Sequence, residues 1–309
     1  MRRIIALLIL LVGASPASAT IEGGRLSLTH DGQERSAIID AVPGVSEAPL
    51  LIVLHGGIGR AAMVRRRARI GLAAEGWVVA FPEAVGDWND GRVRPSGAPF
   101  STVDDIGFLR ALVDDLAGRG LVDPDNVFLA GPSIGGMMAL RVLCEAPDLI
   151  AGVTIAIASL PVGLDCPGDG PPRPTLVLHG TADAIVPEAG GRIGGDSILI
   201  RERGSVRPMA ETMAVLAARN GCTGYSETAL PDRDPADGTR TTRRDYEGCD
   251  APVVHFVVDG GGHTWPGDRP FRLGNRLVGA TSQDFSATRA VEQFFRTVLR
   301  DGAEHAAAH

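Results

Sequence analysis

The chain has 309 residues, 44% of them hydrophobic, enough for one large core without a second domain. Its formal net charge is −7, and all 30 of its basic residues are arginine. That balance excludes the basic footprint of a nucleic-acid-binding protein.

In chain order, residues 1–19 read as a secretory signal. Arg2-Arg3 form the charged start, residues 4–12 the apolar run, and Ala17-Ser18-Ala19 the cleavage site. The run is too short to span a bilayer comfortably, and no later stretch is long and apolar enough. The mature chain is therefore expected to be secreted or periplasmic, without a membrane span. Residues 25–30 and 34–40 alternate around Asp31-Gly32, a hairpin signal. Leu50-Leu51-Ile52-Val53-Leu54 is continuously apolar, as in a strand buried on both faces of a parallel sheet. It runs into His55-Gly56-Gly57-Ile58-Gly59. A helix is predicted over 61–74, with Arg65-Arg66-Arg67 as its solvated face, then a strand over 77–81. Residues 82–100 read as a loop containing Trp88. Residues 102–118 read as a helix, with Thr102 as a cap and Asp104 and Asp105 in the first turn, where carboxylates suit the dipole.

An apolar strand over 126–130 then leads through Gly131-Pro132-Ser133-Ile134-Gly135-Gly136 into a helix-like run from Met137. Strands follow over 151–157 and 174–178. Residues 190–205 are glycine-rich and irregular, and 207–220 read as a helix. Residues 223–250 read as a long polar excursion, 253–258 as a last strand and 282–299 as an amphipathic closing helix. The Ala-rich tail, 301–309, is expected to be disordered, which leaves one domain over 20–300. Strands alternating with helices imply an α/β fold, a mostly parallel sheet with helices on both faces.

The chemistry starts at Ser133. Strand, Gly-x-Ser-x-Gly turn and helix form the context of a nucleophile elbow, in which a strained turn exposes the hydroxyl at the strand end. A serine hydroxyl needs a base, and the base needs an orienting acid. Asp183 follows the strand over 174–178 in His179-Gly180-Thr181-Ala182-Asp183. His263 follows the strand over 253–258 in Gly260-Gly261-Gly262-His263. Both fall at carboxyl ends of strands, on the edge that carries Ser133. Asp259 is the rival acid, set aside as too close to His263 in sequence. His55 and His179 end internal strands and are expected to bond the backbone, and His255 lies within a strand. Two N–H donors are needed for an oxyanion. Ile134 supplies one, and Gly57 the other, with Ile58 as its alternative. No cofactor is required. Trp88 and Trp265 are candidate walls of a substrate site.

The four cysteines, Cys144, Cys166, Cys222 and Cys249, allow three pairings. The sequence-local pairs Cys144–Cys166 and Cys222–Cys249 are favoured. No cysteine has metal-ligand spacing to another cysteine or to a histidine.

The segments Leu54-His55-Gly56-Gly57, Gly131 to Gly136, His179 to Asp183 and Gly260-Gly261-Gly262-His263-Thr264-Trp265-Pro266-Gly267 resemble those of secreted polyhydroxybutyrate depolymerases and feruloyl esterases. The likeness covers nearly the whole mature chain, and the last motif is its most specific part. It implies an eight-stranded α/β-hydrolase fold and a serine carboxylesterase with Ser133, Asp183 and His263 as triad, and it agrees with the cysteine pairing. Its substrate would be an ester: a small molecule, an oligomeric polyester or a feruloylated polysaccharide. Pro132 departs from the family, which more often has a larger non-proline residue there. So do the 190–195 region and the polar stretch after Cys222, which leave the ester open. Rival readings are an exported peptidase on the same fold and a binding protein that has lost activity.

Overall fold

The apolar runs split their side chains between two cores. In β4 (Ala48–Val53), Leu50 and Ile52 enter one and Leu51 and Val53 the other. β6 (Val122–Pro132) does the same with Val127 and Leu129 against Phe128 and Ala130. Period-two alternation with both faces buried produces such uninterrupted runs. The computed structural model describes residues 20–307 apart from residues 23, 58, 195–202 and 270–274. The expected leader over 1–19 and the last two residues of the tail, 308 and 309, lie outside the described residues.

The main sheet has eleven strands. Its centre is parallel: β5 (Val78–Pro82), β4, β6, β7 (Gly152–Ala156), β8 (Thr175–Gly180) and β13 (Val253–Asp259), in that order. Antiparallel strands extend both edges. On one side lie β3 (Gln33–Asp40), β2 (Arg25–His30) and β1 (Thr20–Glu22); on the other lie β12 (Arg240–Glu247) and β11 (Gly224–Ala229). A separate two-stranded ribbon joins β9 (Gly191–Arg192) to β10 (Ser205–Val206). The hairpin turn falls at Asp31-Gly32, both at positive φ (49° and 70°).

Helices cover both faces. α2 (Asp105–Gly118), α3 (Ile134–Glu145) and α4 (Met209–Arg219) pack into one core, whereas α1 (Ala61–Ala68) and α6 (Ala287–Ala307) pack into the other. A one-turn helix, α5 (Asn275–Val278), precedes α6. Phe128 links β6 to α6 through Phe295, with ring centroids 4.9 Å apart.

Four expectations change. The sheet has eleven strands rather than eight, because the stretch expected as a polar excursion supplies β11 and β12 and Thr20–Glu22 adds β1. β11 and β12 lack a continuous apolar face and are tied by their backbone ladder, by the facing rings of Tyr225 and Tyr246 at 5.3 Å, and by Arg244 Nε donating to Glu227 at 2.7 Å. The helix expected over 61–74 ends at Ala68, where Arg69 turns left-handed (φ 47°), and a 3₁₀ turn follows at Leu72–Glu75. α2 is capped by Asp104, not Thr102, since Asp104 accepts the Gly107 N–H at 2.9 Å. The tail from Asp301 to Ala307 continues α6 rather than leaving it disordered, in keeping with the helix propensity of alanine.

The disulfides join Cys144 to Cys166 and Cys222 to Cys249. Each closed loop of this size stabilises the fold by roughly 2–4 kcal/mol.

Candidate active site

β6 delivers Ser133 into a turn that few residues tolerate. Its φ is 57° and ψ −127°, a strained conformation for a side chain with a Cβ. The flanking glycines are sterically required. A Cβ on Gly131 would lie 2.5 Å from the Gly135 carbonyl, and one on Gly135 would lie 2.7 Å from the His55 oxygen. The strand and helix can approach this closely only without those side chains.

Parallel pairing of β8 with β13 brings their carboxyl-end loops together beside the elbow. Asp183 Oδ2 lies 2.7 Å from His263 Nδ1, and His263 Nε2 lies 2.9 Å from Ser133 Oγ. A carboxylate only accepts, so Nδ1 carries the imidazole proton and Nε2 is left to accept from the serine hydroxyl. The Asp183 side chain is 3% exposed, and its other oxygen accepts the N–H groups of Ile185 and Val186, each at 2.8 Å. Asp183 is thus fixed on both oxygens. The rival, Asp259, accepts instead from the Thr181 hydroxyl at 3.0 Å.

The loop after β4 lies against the elbow. A Cβ on Gly56 would sit 3.5 Å from Ser133 Cβ, and one on Gly57 would sit 3.6 Å from Ile134 Cδ1. Ile134 opens α3, whose first N–H groups have no acceptor within the helix. Ile58, the alternative donor, lies outside the described residues. His55 holds the loop. Its Nδ1 donates to the Gly56 oxygen at 2.9 Å and its Nε2 accepts the Ala84 N–H at 3.1 Å.

The two tryptophans part company. Trp265 lines a cleft of about 380 Å³ with Ser133, His263, Gly57, Met63 and Ile70. Its indole is held by a hydrogen bond from Nε1 to Thr288 Oγ1 at 3.1 Å. Trp88 is not a wall of this cleft. It is fully buried, its ring centroid 5.1 Å from that of His55, and its Nε1 donates to the His55 oxygen at 3.0 Å. Burial of the large apolar ring carries Trp88 inward behind the glycine loop, and the His55 carbonyl satisfies its N–H there.

Two features were not read from the sequence. Arg67 lines the cleft, although its run reads as a solvated face. α1 begins only four residues after Gly57, and that short tether is the signal that places the helix at the mouth. The other is a buried pair in which His179 Nδ1 lies 2.7 Å from His255 Nε2, while His179 Nε2 lies 3.3 Å from Glu188. Burial lowers both imidazole pKa values.

Among the described residues, no helix is long and apolar enough to cross a membrane, and no group of side chains is placed to hold a metal.

No family model matches the chain. A 275-residue stretch is 32% identical to NocK of Nocardia uniformis subsp. tsuyamanensis, whose name carries an esterase assignment; it covers 85% of this chain and 79% of NocK. Feruloyl esterase B of Piromyces equi is 28% identical over 236 residues, 71% of this chain but only 40% of that protein. Feruloyl esterase D of Neurospora crassa is 27% identical over 161 residues, covering 52% of this chain and 47% of its own. Among solved structures, acetyl xylan esterase from Aspergillus awamori superposes with a TM-score of 0.53 at 14% identity, over 82% of this chain and 98% of that one. The structure of sOPH superposes with a TM-score of 0.54 at 17% identity, over 88% and 93%. At those identities the likeness is one of fold, the α/β-hydrolase fold.

Proposed function

The chain belongs to the esterase family represented by NocK, and from that premise we propose that Ser133, His263 and Asp183 are its catalytic triad, acting through an acyl-enzyme. The observation that supports this most directly is the unbroken relay from Asp183 Oδ2 through both ring nitrogens of His263 to Ser133 Oγ, at 2.7 and 2.9 Å. His263 takes the hydroxyl proton as Oγ attacks the ester carbonyl. Asp183 keeps the imidazole in the tautomer that can accept and stabilises the charge it gains. The N–H groups of Gly57 and Ile134 receive the negative charge of the tetrahedral intermediate. His263 returns its proton to the departing alcohol, and water repeats the sequence to free the acid.

The carboxylic ester itself belongs to the aromatic-acyl class that the feruloyl esterase relatives are named for. The flat indole of Trp265, pinned beside the triad, favours that reading. Oligomeric hydroxybutyrate is the second reading, favoured by the exposed methionine Met63 and Ile70 on the same wall. The chain acts outside the cytoplasm, a reading that the two disulfides favour. Release of acid from methyl ferulate, hydroxybutyrate oligomers and acetylated xylan tests the substrate. Ferulate should be turned over with the highest kcat/KM; a larger value for the oligomers would replace the first reading with the second.

A further inference from the structure

The cleft does not stop at Trp265. It shares Arg67, Trp265 and Asp268 with a second cavity of about 320 Å³, lined further by Arg69, Arg289 and Glu292. Arg269 lines the first cavity beside Asp268. Four arginines and two acidic residues thus line the two adjoining cavities.

Both carboxylates are already engaged. Glu292 accepts the Gly71 N–H and lies 3.5 Å from Arg296, a residue outside the groove. Asp268 lies 3.9 Å from Arg69 and accepts the Arg269 N–H at 2.9 Å. Arg67 and Arg289, like Arg269 at the first cavity, have no carboxylate within ion-pair distance among the described residues. The groove therefore carries positive charge on a chain whose formal net charge is −7. Arginines left unpaired at the lip of a concave site focus a positive potential on what enters it, and a guanidinium fork matches a carboxylate.

We propose that this groove receives a carboxylate-bearing arm of the ester substrate, selected by Arg67 and Arg289. The inference rests on the reading of Ser133 as nucleophile and deepens it, because the groove opens from the same cleft. A substrate of this class holds its ester at Ser133, lies along Trp265 and places its anionic end between the two arginines.

The test compares matched ester pairs. On the acyl arm, 4-nitrophenyl hemiesters of the dicarboxylic acids from succinic to suberic are set against 4-nitrophenyl esters of the uncharged monoacids of equal length. On the alcohol arm, the butyrate ester of 4-hydroxybenzoate is set against that of 4-hydroxybenzamide. For one arm, kcat/KM should favour the anionic partner by roughly tenfold, the gain expected of a charge-assisted hydrogen bond. That ratio should fall toward unity in an Arg67→Gln/Arg289→Gln variant and at high salt. No anionic preference on either arm, or a preference that survives the double variant, overturns the proposal. Uncharged esters that are hydrolysed without any preference remove this inference alone. Uncharged esters that are not hydrolysed, or that Ser133→Ala still hydrolyses, remove the nucleophile assignment along with it.

Discussion

At the scale of single residues, the site depends on groups whose freedom has been taken away. Ser133 is held at positive φ, and Asp183 is gripped on one oxygen by two backbone N–H groups while the other meets His263. The order of serine, acid and histidine after three strand ends was enough to single these residues out. Trp88 was not legible, because a tryptophan in a Pro/Gly-rich loop looks the same whether its N–H finds an acceptor in the core or in solvent. Asp183 and Asp259 provide the sharpest contrast. Asp183→Asn should lower kcat by up to about 10⁴-fold, since an amide can hold the wrong tautomer of His263. Asp259→Asn should leave kcat nearly unchanged, because it loses only the Thr181 contact. Steady-state rates of the two variants decide between them; a crippled Asp259→Asn beside a healthy Asp183→Asn would reverse the assignment.

At the scale of elements, β8 and β13 do two jobs. The loops after their carboxyl ends hold Asp183 and His263, the proposed acid and base, and the strands themselves hold the stacked pair His179 and His255. Glu188 can only accept, so His179 Nε2 carries a proton and its Nδ1 accepts from His255 Nε2–H. His255 Nδ1 is then a buried lone pair without a partner, and a second proton there would be a buried donor with no acceptor. Burial is the main cause that depresses both imidazoles, with the neighbouring His179 and Arg244 adding to it at His255 and Glu188 opposing it at His179. The unfolded chain therefore binds more protons at these two sites once the pH drops below about 6.5. Stability is lost as pH falls through that value and is constant above it for this pair. Asp90 acts in the opposite sense. Burial outweighs its contact with Arg92 and pushes its carboxyl up to about 6, so the folded chain gains relative stability as pH falls toward the ordinary carboxylate range. His255→Gln removes one side of this balance. Its Tm should fall less than that of the unaltered protein between about pH 7 and about pH 5. Equal losses in the two proteins would show that the pair does not govern acid stability.

At the scale of the whole molecule, the parallel centre of the sheet was readable and its margins were not. Buried parallel strands such as β4 leave continuous apolar runs, a signal that survives in a single sequence. β11 and β12 leave none. Every residue of β11 is exposed, and the strand is held by its ladder to β12 and by the ion pair of Glu227 with Arg244, so its sequence is hard to tell from that of a loop. The α6 extension was missed for a related reason: an Ala-rich end carries helix propensity but no apolar face. The groove beyond Trp265 could not be read at all, because its arginines come from α1, α6 and the stretch between, which only the folded chain assembles. All of these parts serve one claim, that Ser133 is the nucleophile of an esterase. Diisopropyl fluorophosphate tests it most directly, with intact mass and peptide mapping as the readout. One phosphoryl group per chain should form on Ser133, ester hydrolysis should disappear in step with it, and Ser133→Ala should lose about 10⁶-fold in kcat while keeping its fold. An adduct on another residue, or a Ser133→Ala variant that keeps more than about a tenth of the activity, far above the loss expected for a triad serine, would contradict it.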